Sequence, residues 1–386
     1  MPKSKKEIYF IQVSLWLIMF AASGQFMIMT PLLPLFKDEL KIAGQQLGII
    51  VAVYSFALAI SSLLWGIISD IIGRKMILFI GSFFMSITLL LHFTFNNFFD
   101  VFLIRMLTGF SGGILTGACV AYIADYFPIQ KRGRMNGFIY SGSAFSQISA
   151  VPLGIFLAAK YGTYLPFCIF GLVLICTSFM IYKYIPEPIQ RIPKKIALKK
   201  INTQYLDLLK NSTVSSMIRG YVLIFLSLMI FVTYFPLWLK QKHNLSNNDL
   251  AGLFVIIGIA SLLGGLLSGK FIDLFSRKKG ILYSNGFIIL FLLLLIIFKD
   301  TTSVIICIIF IMLFFTARLV AYQTKTSDIT TGFNRGKVLC LIISFGQLGI
   351  LIGSSLAGYI YDYYGFRLNI ILTIIPCLIL AVFYKD

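Results

Sequence analysis

A helix of about 20 largely apolar residues is long enough to cross the hydrocarbon core of a bilayer, and this chain holds twelve such runs. They fall near 8–35, 45–69, 76–95, 99–124, 133–158, 163–185, 218–240, 248–272, 279–298, 302–323, 336–360 and 367–383. Hydrocarbon offers no water to backbone N–H and C=O groups, so each run must close its hydrogen bonds within itself, and that requirement selects helix. The gaps leave no room for a sizeable soluble domain. The expected fold class is therefore an all-α membrane protein with twelve transmembrane helices.

Composition agrees: 59% of the 386 residues are hydrophobic and 12% charged, whereas a soluble domain is about 25% charged. A net charge of +19 raises the question of nucleic acid, and the placement of the charges answers it. With the N-terminus on the cytoplasmic side, seven of the 33 Lys and Arg fall outside (Lys37, Lys41, Lys160, Lys240, Lys242, Lys299, Arg367). Two lie within runs (Arg105, Arg318), and the remaining 24 lie inside. This is the positive-inside asymmetry, so both termini are expected in the cytoplasm. The basic charge then reports topology and contact with anionic membrane lipids, and no nucleic-acid partner is expected. Ala21-Ala22-Ser23, preceded by the Lys3–Lys6 flank, has features of a cleaved signal peptide. Cleavage would leave eleven runs and break the symmetry described next, so the segment is read as the first span. The six cysteines lack metal or disulfide spacing, and neither metal nor other cofactor is expected.

Between the second and third runs, Gly66 to Lys75 places Asp70, Gly73, Arg74 and Lys75 within ten residues. The same acid-to-base spacing returns 203 positions later at Asp273, Ser276, Arg277 and Lys278. The offset persists: Asp125 maps to Asp328, Arg132-Gly133 to Arg335-Gly336, Ser141 to Ser344, and Tyr161-Gly162 to Tyr364-Gly365. Residues 1–185 and 218–386 are thus expected to be two pseudo-symmetric six-helix bundles. Residues 186–217, with three prolines and a basic run from Arg191 to Lys210, form a cytoplasmic linker. Two parallel six-helix repeats describe one large transporter architecture, with its substrate site between them near the midplane.

These motifs resemble the major facilitator superfamily. Residues 66–75 match its loop 2–3 signature, Gly-x-x-x-Asp-x-x-Gly-Arg/Lys-Arg/Lys. Arg105-x-x-x-Gly109 is similar to a second motif of the twelve-span drug/proton antiporters, with Ser111 replacing a usual glycine. Asp125-x-x-Pro128-x-x-x-Arg132-Gly133 resembles the usual exit from the fourth helix. Gly24 with Pro31-x-x-Pro34, and Val151-Pro-Leu-Gly154, are closer to sugar-efflux and small multidrug permeases. The resemblance implies a proton-coupled secondary transporter of the bacterial inner membrane that acts as a monomer and exports a small organic solute by alternating access. It also implies a cytoplasmic latch made by Gly66, Asp70, Gly73, Arg74, Lys75, Asp125, Arg132, Asp273, Arg277 and Asp328. Such a latch must break in every cycle, and partly exposed ion pairs worth about 1 kcal/mol or less are weak enough to do so.

Ionisable side chains inside a span are costly and mark cavities or partners, which makes Arg105 and Arg318 substrate-cavity candidates. An anionic or zwitterionic solute would suit them. Snorkelling, and pairing with Asp100 or Asp328, are the bland alternatives. Gln25, Gln147 and Gln347, whose amides are hard to leave unpaired, complete the cavity set with the aromatics Tyr234 and Tyr322. No Asp or Glu lies in the middle of any run. Gln25 stands where related exporters often carry an acid, so a coupling proton would have to use Asp38, Glu39, Asp100 or the hinge acids. Two alternatives stay open: a nutrient or metabolite importer of the same fold, and a non-transporting membrane receptor. With two histidines, no nucleophile–base pair and no Walker-type glycine loop, neither an enzyme nor ATP-driven transport is expected.

Overall fold

The computed structural model describes residues 5–115, 117–187, 208–274, 276–329 and 335–383. Among these, eleven helices are long and apolar enough to cross a membrane, and a shorter apolar helix, Phe366–Val382, follows the last of them. In chain order the helices are α1 (Lys5–Met27), α2 (Met29–Leu40), α3 (Gly44–Ile72), α4 (Arg74–Leu90), α5 (Phe98–Leu115), α6 (Ala118–Tyr126), α7 (Ile129–Phe145) and α8 (Val151–Tyr161). They continue with α9 (Leu165–Tyr184), α10 (Ser212–Val232), α11 (Phe235–Lys242), α12 (Asn247–Leu274), α13 (Arg277–Ile297), α14 (Thr301–Ile329), α15 (Arg335–Tyr364) and α16 (Phe366–Phe383). Several apolar runs are split by residues that interrupt a helix. Pro31 and Pro34 follow the break between α1 and α2 at Ile28, and Pro236 follows the break between α10 and α11. Gly117, at φ 77°, separates α5 from α6. A π-turn at Ser146–Ala150 joins α7 to α8 just before Pro152; proline lacks an N–H, so the turn before it must rearrange.

Following the charge-derived topology, we call the ends of the helices at Leu40–Gly44, Tyr161–Leu165, Lys242–Asn247 and Tyr364–Phe366 the outer face. Helices α1 to α9 pack mainly on one another, through α3 with α5, α4 with α9, and α1 with α7 and α9. Helices α10 to α16 form a second group, through α10 with α15 and α16, and α14 with α12 and α13. Gly109 shows how close the approaches are, because a Cβ there would lie 2.2 Å from the carbonyl oxygen of Tyr54 on α3. That is the physical reason for glycine in Arg-x-x-x-Gly. Three seams join the groups: α3 along α15, α8 and the π-turn against α12, and α2 against α11.

Candidate functional site

At the inner face, Gly73 adopts φ 106°, a conformation that glycine reaches without a Cβ clash. It turns the chain sharply from α3 into α4. Arg74 then reaches α6, where its Nε donates to Asp125 Oδ2 at 2.7 Å, and its Nη1 donates to Ser69 Oγ. The pair is partly buried, with side-chain exposures of 15% and 27%. Arg132 Nε donates to the carbonyl of Phe127 at 2.9 Å, and the Lys75 ammonium lies 5.9 Å from the Tyr182 ring. In the second copy, Ser276 has φ 178°, extended backbone open to any residue. The missing turn glycine is therefore no defect there. Arg277 is exposed. The side chains of Asp70, Asp273 and Asp328 lie outside the described residues; Gly66 and these three acids have helical backbone.

The two intramembrane arginines point into their own helix groups in this conformation. Arg105 is fully buried; its Nη1 donates to Gln25 Oε1 at 2.9 Å, and Gln25 Nε2 donates to Tyr54 Oη at 3.0 Å. The guanidinium also lies 4.5 Å from the Tyr54 ring and 5.9 Å from Phe167, so one residue of α5 ties together α1, α3 and α9. Gln25 is itself buried in this network. Arg318 does the same for the second group. It donates to Asn285 Oδ1 on α13 at 2.8 Å and to Ser227 Oγ on α10 at 2.7 Å, and lies 3.2 Å from Cys377 Sγ on α16. Among the described residues neither arginine has a carboxylate partner. Tyr322 is buried as well, its hydroxyl donating to the carbonyl of Met217 at 2.8 Å. His92 packs at 4.3 Å against Phe167, and its Nδ1 bonds backbone carbonyls of its own turn.

Tyr234 sits at the outer seam, where its hydroxyl donates to the carbonyl of Gly44 and its ring stacks on Tyr361 at 4.9 Å. Around it, Asp362 Oδ2 accepts from the backbone N–H of Gln45 at 2.7 Å, and Lys240 Nζ contacts Asp38 Oδ2 at 2.9 Å. These contacts join one group to the other. The neighbouring acids bond locally: Glu39 accepts from Thr163 at 2.7 Å, and Asp100 from the backbone N–H of Asn96 at 2.9 Å.

Deeper, Ser62 on α3 and Ser344 on α15 share a hydrogen bond of 2.8 Å. Gln347, one turn further along α15, keeps a buried Oε1 with no donor among the described residues. Gln147 lies half-buried on the π-turn beside α12. Towards the inner face, Tyr140 on α7 is half exposed, while Tyr221 on α10 is buried. Tyr221 in turn accepts from Gln323 at 3.2 Å. Sequence reasoning did not single out Tyr140, Tyr221 or Gln323. Tyr322, expected as a cavity aromatic, is buried here, and Gln323, about 100° further around the same helix, is exposed.

Residues 15–316 and 220–385 match the family profile described as Major Facilitator Superfamily. Multidrug resistance protein MdtG of Escherichia coli (strain K12 / DH10B) is 26% identical, over 93% of this chain and 89% of that protein. The hexuronate transporter of Bacillus subtilis (strain 168) is 25% identical over 67% and 63%. A solved structure of a D-xylose-proton symporter superposes with TM-score 0.79 over 98% of this chain and 97% of that one, at 17% identity. At that identity the likeness is one of fold.

Proposed function

This chain belongs to the Major Facilitator Superfamily, a multi-pass membrane transporter family, and from that premise we propose that it is a secondary transporter exporting a small organic solute from the bacterial cytoplasm in exchange for protons. The observation that carries the reading is the distribution of contacts between the two helix groups. Asp38–Lys240, Asp362–Gln45 and Tyr234–Gly44 bind the groups together at the outer face. Towards the inner face, the facing walls carry the half-exposed Tyr140 and the tyrosine–glutamine pair Tyr221–Gln323. We read this as a state closed outside and open to the cytoplasm, in which an exporter takes up its cargo. Tyr140, Gln147, Tyr221, Gln323 and Gln347 are the proposed cavity residues.

Arg105 with Gln25 and Arg318 with Asn285 would keep each bundle rigid while the pair rocks. A bond inside a bundle persists through the cycle, whereas bonds between bundles must break. The latch function of Asp70, Arg74, Asp125, Asp273, Arg277 and Asp328 at the inner face belongs to the same proposal, as the part that closes when the outer seam opens. Export is favoured by the MdtG relationship and by the efflux-like motifs in the first and fifth runs. Uptake is the second reading, favoured by the hexuronate transporter relationship. Everted membrane vesicles under an imposed inside-acid gradient separate the two. Export predicts solute accumulation in the vesicle lumen that collapses with a protonophore. Accumulation only in right-side-out vesicles under an outside-acid gradient would reverse the direction.

A further inference from the structure

Three facing pairs on the two long seams share one sum, and other contacts such as Gly48–Ser354 fall within about one helical turn of it. Gly44 faces Asp362 and Ser62 bonds Ser344 on the α3–α15 seam, while Ile148 faces Gly258 on the seam of the π-turn and α8 with α12. Each pair sums to 406, and one shared value for two antiparallel seams is what a pseudo-two-fold between repeats requires. Given the 203-residue offset, every contact on one seam therefore has a calculable image on the other. The image of Gly44–Asp362 is Ala159–Asn247, and those residues do line one shallow outer depression.

The image of Ser62–Ser344 is Ser141–Gly265, and here the symmetry fails. Ser141 is exposed and bonds Trp16 and the carbonyl of Phe138 instead. A Cβ on Gly265 would find only Val320 and Thr316, at 3.8 and 3.9 Å. Further inward, Gly137 and its expected facing partner Gly269 both meet open space. Thus α12 packs closely on the π-turn and α8, whereas along α7, where the two should face, Gly137, Gly265 and Gly269 meet little or nothing. At the same depth α3 and α15 remain hydrogen-bonded. At the depth of Ser62–Ser344, the gap among the described residues lies on the α7–α12 side.

Its rim has two chemistries. Phe138 and Phe145 on α7 and Leu262 and Leu266 on α12 are exposed at membrane depth, with Trp16 and Phe20 packed behind Phe145. At the inner end of α7, Lys131 and Arg134 are exposed cations. We propose that this opening is a lateral portal, through which an amphipath with an apolar tail and an anionic head passes from the inner leaflet into the cavity. The tail lies along the Phe–Leu rim, and Arg134 meets the head by charge-assisted hydrogen bonds. Tyr140, 100° around α7 from Ser141, is the first residue beyond the portal. The proposal rests on the transport reading for the fate of the amphipath after passage, but its test needs no flux.

In a variant with the native cysteines replaced, Ser141→Cys and its image Ser344→Cys are exposed in liposomes to a membrane-confined maleimide. Ser141→Cys should react at least about tenfold faster, the reach of a buried-versus-open difference of one decade. Dodecyl phosphate should protect it, the uncharged monolauroylglycerol should not, and Arg134→Gln should weaken protection about tenfold. In the cysteine-containing protein, with Trp65 and Trp238 changed to Phe, a tail-brominated dodecyl phosphate should quench Trp16 saturably. Equal labelling of the two positions, or equal protection by the uncharged lipid, would overturn the portal. Absent flux with the labelling pattern intact would count against the transport reading alone.

Discussion

Gly48 offers a test of the outer seam in which the helix's own preferences cancel. A Cβ there would lie 2.3 Å from the carbonyl oxygen of Ser354 and 3.0 Å from the Tyr234 hydroxyl. The first contact is with backbone, which cannot swing aside, so Gly48→Ala must push α3 away from α15. Such overpacking costs about 1–3 kcal/mol. Alanine also gains roughly 1 kcal/mol over glycine as a helix former, but it gains this whether the seam is closed or open. The steric cost applies only to the closed seam, so the closed-to-open ratio should fall by about 5–150-fold. Gly286→Ala is the control, since nothing lies within 4 Å of its added Cβ. The assay pairs transport with modification of a cysteine placed at Gln45 by a membrane-impermeant reagent. Gly48→Ala should raise labelling and slow transport with normal abundance, and Gly286→Ala should change neither. Wild-type labelling and transport in Gly48→Ala would refute the seam as a closing contact.

The same geometry bears on three further perturbations. Asp362→Asn keeps an acceptor for Gln45 but removes the negative charge facing the α3 N-terminus, a loss of about 0.3–1 kcal/mol; cysteine labelling at the outer face should rise modestly, and less than with Gly48→Ala. Arg105→Ala should lower thermal stability in detergent by about 2–5 kcal/mol through a cavity, whereas Arg105→Met should cost only about 1–3 kcal/mol for the stranded Gln25 acceptor; equal losses would show that packing is not what separates them. Burial, with Lys242 beside it, holds the His243 imidazole in the outer loop below its ordinary range, so the folded state resists protonation there. Its contribution is complete above the ordinary imidazole pKa and declines as pH falls through that value. His243→Gln should flatten the acid limb of a melting-temperature profile between roughly pH 7 and 5.

Much of this architecture is a direct consequence of the sequence. Run length and the scarcity of charge dictate membrane helices, because hydrocarbon leaves the backbone no other partner. The 203-residue offset points to two related repeats, whereas the helix breaks at Ile28, Gly117 and before Pro236 interrupt runs that read as continuous. Arg74 and Asp125 both belonged to the latch implied by the resemblance, but which base meets which acid on so basic a face was decided by the turn at Gly73, which carries Arg74 to α6. The directions of side chains inside the bundles were decided only by the tertiary structure. Composition identifies Arg105, Arg318, Gln25 and Tyr322 as polar groups at membrane depth, but helix rotation turns them inward onto their own bundle, while Gln323 turns the other way. Tyr234 reads as a cavity aromatic until another helix brings the Gly44 carbonyl to its hydroxyl. A repeat also predicts two equivalent seams. That one is bonded at Ser62–Ser344 while its image at Ser141–Gly265 stands open is a property of how the bundles tilt in one conformation, and a linear pattern common to both repeats carries no record of it.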